Sequence, residues 1–281
     1  ARAVREVDPE VKLIGVGVEG SGWADWNAIV TRTAAAELDY LSVHVYQDAP
    51  PENDPALNYA NVVTCPARYE QTFAQTAAIV ERESPDKPIP LAIDEWNVTA
   101  RDQWNGENRP EVKLREAIYC ARMFHVFHRL GGRITMANIA LLVNAMGVLQ
   151  SDATRVALTP VYRAFQLYGE HTGTHLAHAV VEPSDAPLDV LATVSPETRR
   201  TYVAVVNYHP FHDAAAALML AGGDGARRVR AFRLSGASPA SANALGAEPE
   251  VTVTELDAAA LAEPAVTFPA HSVTIVEYEA R

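Results

Sequence analysis

Asp94-Glu95-Trp96-Asn97 is the segment of this chain best equipped for chemistry. Two acids, an aromatic and an amide follow a short apolar run, Ile89-Pro90-Leu91-Ala92-Ile93, which reads as a buried strand. The pattern places both carboxylates where that strand stops. In α/β barrels, residues that act on substrate sit at that end of the strands. A carboxylate beside an aromatic suits glycosidic-bond chemistry, in which a charged oxygen faces an oxocarbenium-like sugar. The competing reading is an acid that only caps or salt-bridges a strand end.

The elements that must hold this segment follow a regular order. Residues 11–18 read as a strand, 26–36 as a helix, and 38–46 as a strand in which Leu41, Val43 and Val45 alternate. Tyr69, Phe73, Ala77 and Val80 recur at near-helical spacing, and Ser84-Pro85-Asp86 ends that helix. The third strand is 89–94. A polar loop, 99–110, carries Trp104, and loops of that length are often functional. Leu114, Ala117, Ile118, Ala121, Phe124 and Phe127 mark one face of the next helix, which Gly131-Gly132 closes. Residues 133–143 form a fourth strand running into a loop, and 159–168 a last helix. Four strand–helix units in a row call for parallel strands with right-handed crossovers. Near His171 the period changes to two, in runs 188–194, 201–208, 251–253 and 273–276, as expected of an antiparallel sandwich. The Ala214–Ala217 run and the alanines near Ala258 read as filler in strands and turns.

Composition narrows the partners. The 281 residues are 48% apolar and 21% charged, with a formal net charge of −12. That balance disfavours phosphate backbones and anionic membranes and fits a neutral substrate such as a carbohydrate. Cys65, in a loop-like stretch, and Cys120, in a helix, imply no disulfide framework. No apolar run is long enough to span a bilayer, and the first residues are not a signal peptide. The chain opens without Met in what reads as the end of a helix near Asp8-Pro9, as if cut within a domain. His125 and His128 lie three apart on a helix, where a core or surface role outweighs metal binding. His171, His175 and His178 read as solvated residues at the junction.

Taken together, the motifs resemble the C-terminal half of the family 51 glycoside hydrolases, the α-L-arabinofuranosidases. The matching stretches are Leu41-Ser42-Val43-His44-Val45-Tyr46, Ile93-Asp94-Glu95-Trp96-Asn97-Val98, Met136-Ala137-Asn138-Ile139-Ala140, Val143-Asn144 and Leu158-Thr159-Pro160-Val161-Tyr162. Residues 203–210 and 269–273 are similar to the family's terminal sandwich. The resemblance implies the second half of a (β/α)8 barrel, strands five to eight, in residues 1–170, and a C-terminal β-sandwich in 171–281. It makes Glu95 the catalytic nucleophile. Tyr46 would hold the nucleophile or the sugar, with His44 close by. Asp94 and Asn97 would orient the nucleophile or its backbone, and Trp96 and Trp104 could offer stacking surface, so that Tyr46, His44, Asn97, Trp96 and Trp104 are the candidate sugar contacts. The expected partner is a carbohydrate, with no nucleic acid, membrane, metal or organic cofactor. The resemblance also implies a homo-oligomer in the full-length form, and a cytoplasmic location with secretion left open.

Three departures from the family pattern stand out. Leu141 occupies the place of a sugar-binding glutamine, and Thr99 that of a common aromatic. Retaining enzymes also need an acid/base carboxyl about 5–5.5 Å from the nucleophile. The family carries it in an Asn-Glu pair after strand four, and no such pair ends a strand here. Gly106-Glu107-Asn108 reverses the order and lies in a loop. The expectation is a chain inactive and poorly soluble by itself. The alternatives are a barrel glycosidase for a β-xyloside or β-glucan, or a non-catalytic carbohydrate-binding remnant.

Overall fold

The computed structural model describes residues 1–19, 25–49, 55–99, 111–221, 226–257 and 265–279. After a short helix α1 (Arg2–Val7), four strands alternate with helices: β1 (Ile14–Val16), α2 (Trp26–Ala34), β2 (Tyr40–Asp48), α3 (Pro55–Glu83), β3 (Leu91–Thr99), α4 (Leu114–Arg129) and β4 (Ile134–Ile139). The strands pair in sequence order β1-β2-β3-β4, all parallel. This is the arrangement of consecutive units of a (β/α)8 barrel. A hairpin of β5 (Leu149–Ser151) and β6 (Val156–Leu158), absent from the sequence reading, leads to α5 (Pro160–Glu170). Thr159 caps α5 by accepting from the Tyr162 N–H, with Pro160 in the first turn, where a missing N–H costs nothing.

Two elements differ from expectation along this half. The helix before β3 begins at Pro55 and runs through Pro66, so Cys65 is a buried helical residue and not a loop residue. Burial pushes its thiol up to about 12, and it stays protonated. The third strand does not stop at Asp94 but continues to Thr99, so the two acids sit within the strand.

The remainder is antiparallel. Six strands order as β12-β11-β14-β9-β8-β7, with β7 (His175–Ala177), β8 (Leu188–Ser195), β9 (Arg200–Asn207), β11 (Arg227–Ser235), β12 (Thr252–Glu255) and β14 (Ser272–Glu279). The polyalanine run is β10 (Ala214–Ala217), paired with β13 (Ala265–Phe268). The central strands β9 and β14 are buried on both faces. One face, with Leu191, Val206 and Ile275, joins the core built by α3, α4 and α5. The other, with Val203, Val205 and Val276, packs on Phe268 and Val266 of β13. This is a sheet-on-sheet sandwich, one side of which is seated on the helices.

Polar groups lock that seat. Asp189 of β8 accepts from Arg122 Nε at 3.0 Å, Arg129 Nη1 at 3.0 Å and His125 Nδ1 at 2.9 Å. His125 Nε2 meets the Tyr168 hydroxyl at 2.6 Å. Burial and the neighbouring guanidiniums hold His125 neutral, so it is a core residue. His171 corrects the sequence reading. It is 8% exposed, lies 2.7 Å from Glu277 and stacks on Phe232, so it is no solvated loop residue. His175 falls in β7. No helix among the described residues is long and apolar enough to cross a membrane.

Candidate active site

Side chains of a strand alternate between faces. On β2, Leu41, Val43 and Val45 are fully buried towards the helices, while Ser42, His44 and Tyr46 take the opposite face. On β3 the alternation is interrupted. Ser42 pairs with Ala92 but His44 with Glu95, and Ile93 pairs with Ala137 but Trp96 with Ile139. Against both neighbours β3 therefore holds one extra residue, a β-bulge. Leu91 and Ile93 face the helices before it, Trp96 and Val98 after it. The extra residue turns two successive carboxylates, Asp94 and Glu95, to the same face, which a regular strand forbids.

The β2 side chains meet them there. Tyr46 Oη donates to Glu95 Oε2 at 2.8 Å. Ser42 Oγ donates to Asp94 Oδ1 at 2.6 Å. His44 lies between the acids, with Nε2 3.1 Å from Asp94 Oδ1 and Nδ1 3.4 Å from Glu95 Oε2. Burial, reinforced by the Glu95 charge, pushes the Tyr46 phenol above its ordinary value, so it remains a donor. Among the described residues, both contacts to Glu95 fall on Oε2. The Glu95 side chain is 48% exposed, so an open carboxylate oxygen is presented to whatever enters. A cavity of about 670 Å³ adjoins, lined by Ser42, His44, Asp94, Glu19 and the apolar side chains of β1.

Two candidate sugar contacts are corrected. Trp96 is 1% exposed and packs among Tyr119, Phe124, Phe127 and Phe165, because the bulge sends it to the helical side. Asn97 is on the site face but 3% exposed. Its Nδ2 donates to the Ala140 and Met146 carbonyls at 2.5 and 3.0 Å, and its Oδ1 accepts from Val98 N. It ties down the loop after β4 and is not open to a sugar. Trp104 and the Gly106-Glu107-Asn108 stretch lie outside the described residues. Leu141 is 46% exposed at the end of β4, and Thr99 donates to Asp48 at 3.1 Å. Ser42 was missed by sequence reasoning. Its signal was its position two residues before His44, on the same face of an alternating strand. No cluster of three metal-ligating side chains occurs among the described residues.

Parallel strands presenting a buttressed carboxylate at a barrel mouth are the layout of a barrel glycosidase. Residues 94–272 match the family model described as the alpha-L-arabinofuranosidase C-terminal domain, and the chain belongs to that family. It is 25% identical over 315 aligned residues to a probable alpha-L-arabinofuranosidase C of Aspergillus clavatus, covering 100% of this chain and 59% of the relative. It is 27% identical over 167 residues to an intracellular exo-alpha-(1->5)-L-arabinofuranosidase of Streptomyces lividans, covering 54% of this chain and 25% of the relative. Its fold superposes on the arabinose complex of the Thermotoga maritima alpha-L-arabinofuranosidase with a TM-score of 0.82 at 23% identity, over 98% of this chain and 59% of that one. The chain thus spans 59% of the length of the Aspergillus relative. Its fold is the second half of a (β/α)8 barrel followed by a β-sandwich.

Proposed function

We propose that Glu95 is the nucleophile of a retaining glycoside hydrolase that releases terminal α-L-arabinofuranosyl residues from arabinose-containing polysaccharides or oligosaccharides. The observation that carries this reading is the bulge in β3. It turns Glu95 to the face of Asp94 and lets Tyr46 and His44 meet one carboxylate oxygen, while no described residue contacts the other, which would attack. In the first step a Glu95 oxygen bonds to the anomeric carbon, the glycosidic C–O bond breaks, and the leaving oxygen takes a proton from the acid. In the second, water attacks that carbon, loses its proton to the same residue, and Glu95 leaves as a carboxylate. Asp94 is held by Ser42 and His44 and orients His44. We assign the acid/base to a barrel half that this chain does not include.

Support for the substrate class comes from family membership and from the names of the relatives. The proposed division is residues 1–170 for the barrel portion and 171–281 for the sandwich, where α5 ends and the six-stranded antiparallel sheet begins. Ile14 and Val16 at one sheet edge are 40% and 67% exposed, and Leu142 in the loop after β4, the other edge strand, is 63% exposed. Such uncovered edges favour aggregation, and we expect the chain alone to be inactive and poorly soluble. A cytoplasmic location accords with the "intracellular" names of the Streptomyces lividans and Bacteroides ovatus relatives. A homo-oligomer is proposed for the full-length form and is checked by sedimentation.

Leu141 favours a second reading. A leucine cannot bond a sugar hydroxyl, which leaves room for a β-xyloside or β-glucan. A panel of aryl glycosides, tested on the protein expressed from its complete reading frame, separates the two. Turnover of the α-L-arabinofuranoside alone supports the first reading, and turnover of only a β-xyloside or β-glucoside overturns it. No turnover of any glycoside leaves the non-catalytic remnant.

A further inference from the structure

One loop of the antiparallel sheet reaches out of the sandwich to the rim of the site. Between β11 and β12, the Ser241 and Pro239 carbonyls accept from the backbone N–H groups of Leu114 at 2.8 Å and Arg115 at 3.1 Å. These are the first residues of α4, whose N–H groups have no partner within the helix. Lys113 and Ala242 form an antiparallel bridge beside them. Asn243, 5% exposed, uses its Nδ2 twice, to the Val251 carbonyl and to the Leu158 carbonyl of β6, both at 3.0 Å.

From Leu158 the contacts run on to the catalytic strand. The next residue, Thr159, is fully buried, and its hydroxyl donates to the Val148 carbonyl at 2.7 Å. Val148 closes the loop after β4, its N–H bonding the Leu141 carbonyl. That loop supplies the two carbonyls that bind Asn97, two residues beyond Glu95. Bonds within the loop close it on itself, from Asn144 N–H to the Leu149 carbonyl, Leu149 N–H to the Leu142 carbonyl, Gly147 N–H to the Asn144 carbonyl and Ser151 N–H to Asn144 Oδ1, while its ties to the neighbouring elements run through Asn97, Trp96 and Thr159. Leu141, Leu142 and Val143 are 46%, 63% and 45% exposed, so it buries few apolar side chains of its own. Asn144 and Ala145 hold φ of 59° and 46°, a region that L-residues occupy only when their surroundings impose it.

We infer that the β11–β12 loop of the sandwich is a positioning element of the catalytic site, acting from Asn243 through Leu158-Thr159 and the β4 loop onto Asn97 and the strand that bears Glu95. The inference rests on the assignment of Glu95 given above. Asn243 is a positioning residue and touches no substrate.

The test uses Asn243→Ala in the protein expressed from its complete reading frame, read by amide exchange and by kinetics. The variant removes the bonds from Asn243 Nδ2 to the Leu158 and Val251 carbonyls and the acceptor of the Val251 N–H; loss of the one to Leu158 should speed exchange at Val148 and Leu149 about tenfold and lower kcat by a similar factor. KM for a small aryl α-L-arabinofuranoside should barely move. Arg200→Ala breaks an ion pair with Glu277 inside the sandwich and serves as the control. It should leave both readouts at wild-type values while lowering Tm. If Asn243→Ala does not fold, Thr159→Val removes the next hydroxyl in the chain of contacts and must move the same amides, with Thr159→Ser restoring them. Unchanged exchange at Val148 and Leu149 overturns the inference, as does an equal response to Arg200→Ala. If the wild-type protein turns over no arabinofuranoside, the functional assignment fails, and the exchange data alone decide whether the sandwich positions the loop.

Discussion

Replacing Asp189 by asparagine removes one negative charge from the point where β8 meets α4. Asp189 is 9% exposed and takes hydrogen bonds from two guanidiniums and an imidazole. After the change Arg129 still has Glu70, at 2.8 Å through both Nε and Nη2. Among the described residues Arg122 keeps the Val63 carbonyl and the face of Tyr208, so it becomes the uncompensated buried charge. Breaking one partner of a buried pair costs about 3–5 kcal/mol. For a domain of this size that lowers Tm by roughly 6–20 °C, taking about 2–4 °C per kcal/mol. The pH dependence has a definite sign. Burial alone would raise the Asp189 carboxyl, but His125 and the two arginines outweigh it and hold it well below the usual range. Its contribution is therefore complete above the unfolded value of about 3.9 and fades as pH falls through the folded one. His125 is lowered by burial, so the unfolded chain takes up its proton first, and stability also falls as pH drops below about 6.5. Calorimetry between neutral and acid pH should show Asp189→Asn less stable at neutrality and with a flatter slope below about pH 4. An unchanged Tm at pH 7 would refute the reasoning that this carboxylate binds the sandwich to the helices.

Tyr46→Phe deletes one hydrogen bond to a charged group, worth about 1.5 kcal/mol at the low end appropriate to a half-exposed carboxylate. The complete enzyme should lose about tenfold in kcat/KM, and a wild-type rate would remove Tyr46 from the site. Trp96→Ala should destabilise by about 3–5 kcal/mol through the cavity it leaves, seen as a lower urea midpoint. Trp96→Phe should keep turnover, and lost turnover with intact stability would return Trp96 to the sugar. Leu141→Gln adds an amide, with N–H donors and a carbonyl acceptor, just beyond β4, and one hydrogen bond from it should raise arabinofuranoside kcat/KM over that for a β-xyloside by up to about tenfold. No change in that ratio would place position 141 away from the sugar.

The parallel half was legible because its strands bury one face towards the helices and show it as alternation, as in Leu41, Val43 and Val45. The bulge was not. Reading the third strand as ending at Asp94 puts Trp96 and Asn97 beside the sugar, whereas the strand runs on past the bulge and turns one to the core and the other to a loop. Pro66 hid the first turns of α3, since proline ordinarily breaks a helix interior. Strand β11 escaped notice because Arg227, Arg228, Arg230 and Arg233 make it read as solvated. Three of these pair across the sheet, Arg227 with Glu279, Arg230 with Glu255 and Arg228 with the Tyr278 hydroxyl. His171 looked like a junction loop because its partners, Glu277 and Phe232, lie far along the chain. The motif singled out Glu95 as the candidate; the company of Ser42 was visible only in three dimensions.

The most direct test of the central claim is to trap the covalent intermediate. The protein expressed from its complete reading frame is incubated with a slow-turnover fluorinated α-L-arabinofuranoside, digested, and its peptides weighed. The account predicts one pentosyl adduct, on Glu95. An adduct on any other residue, or steady turnover with no adduct, contradicts it.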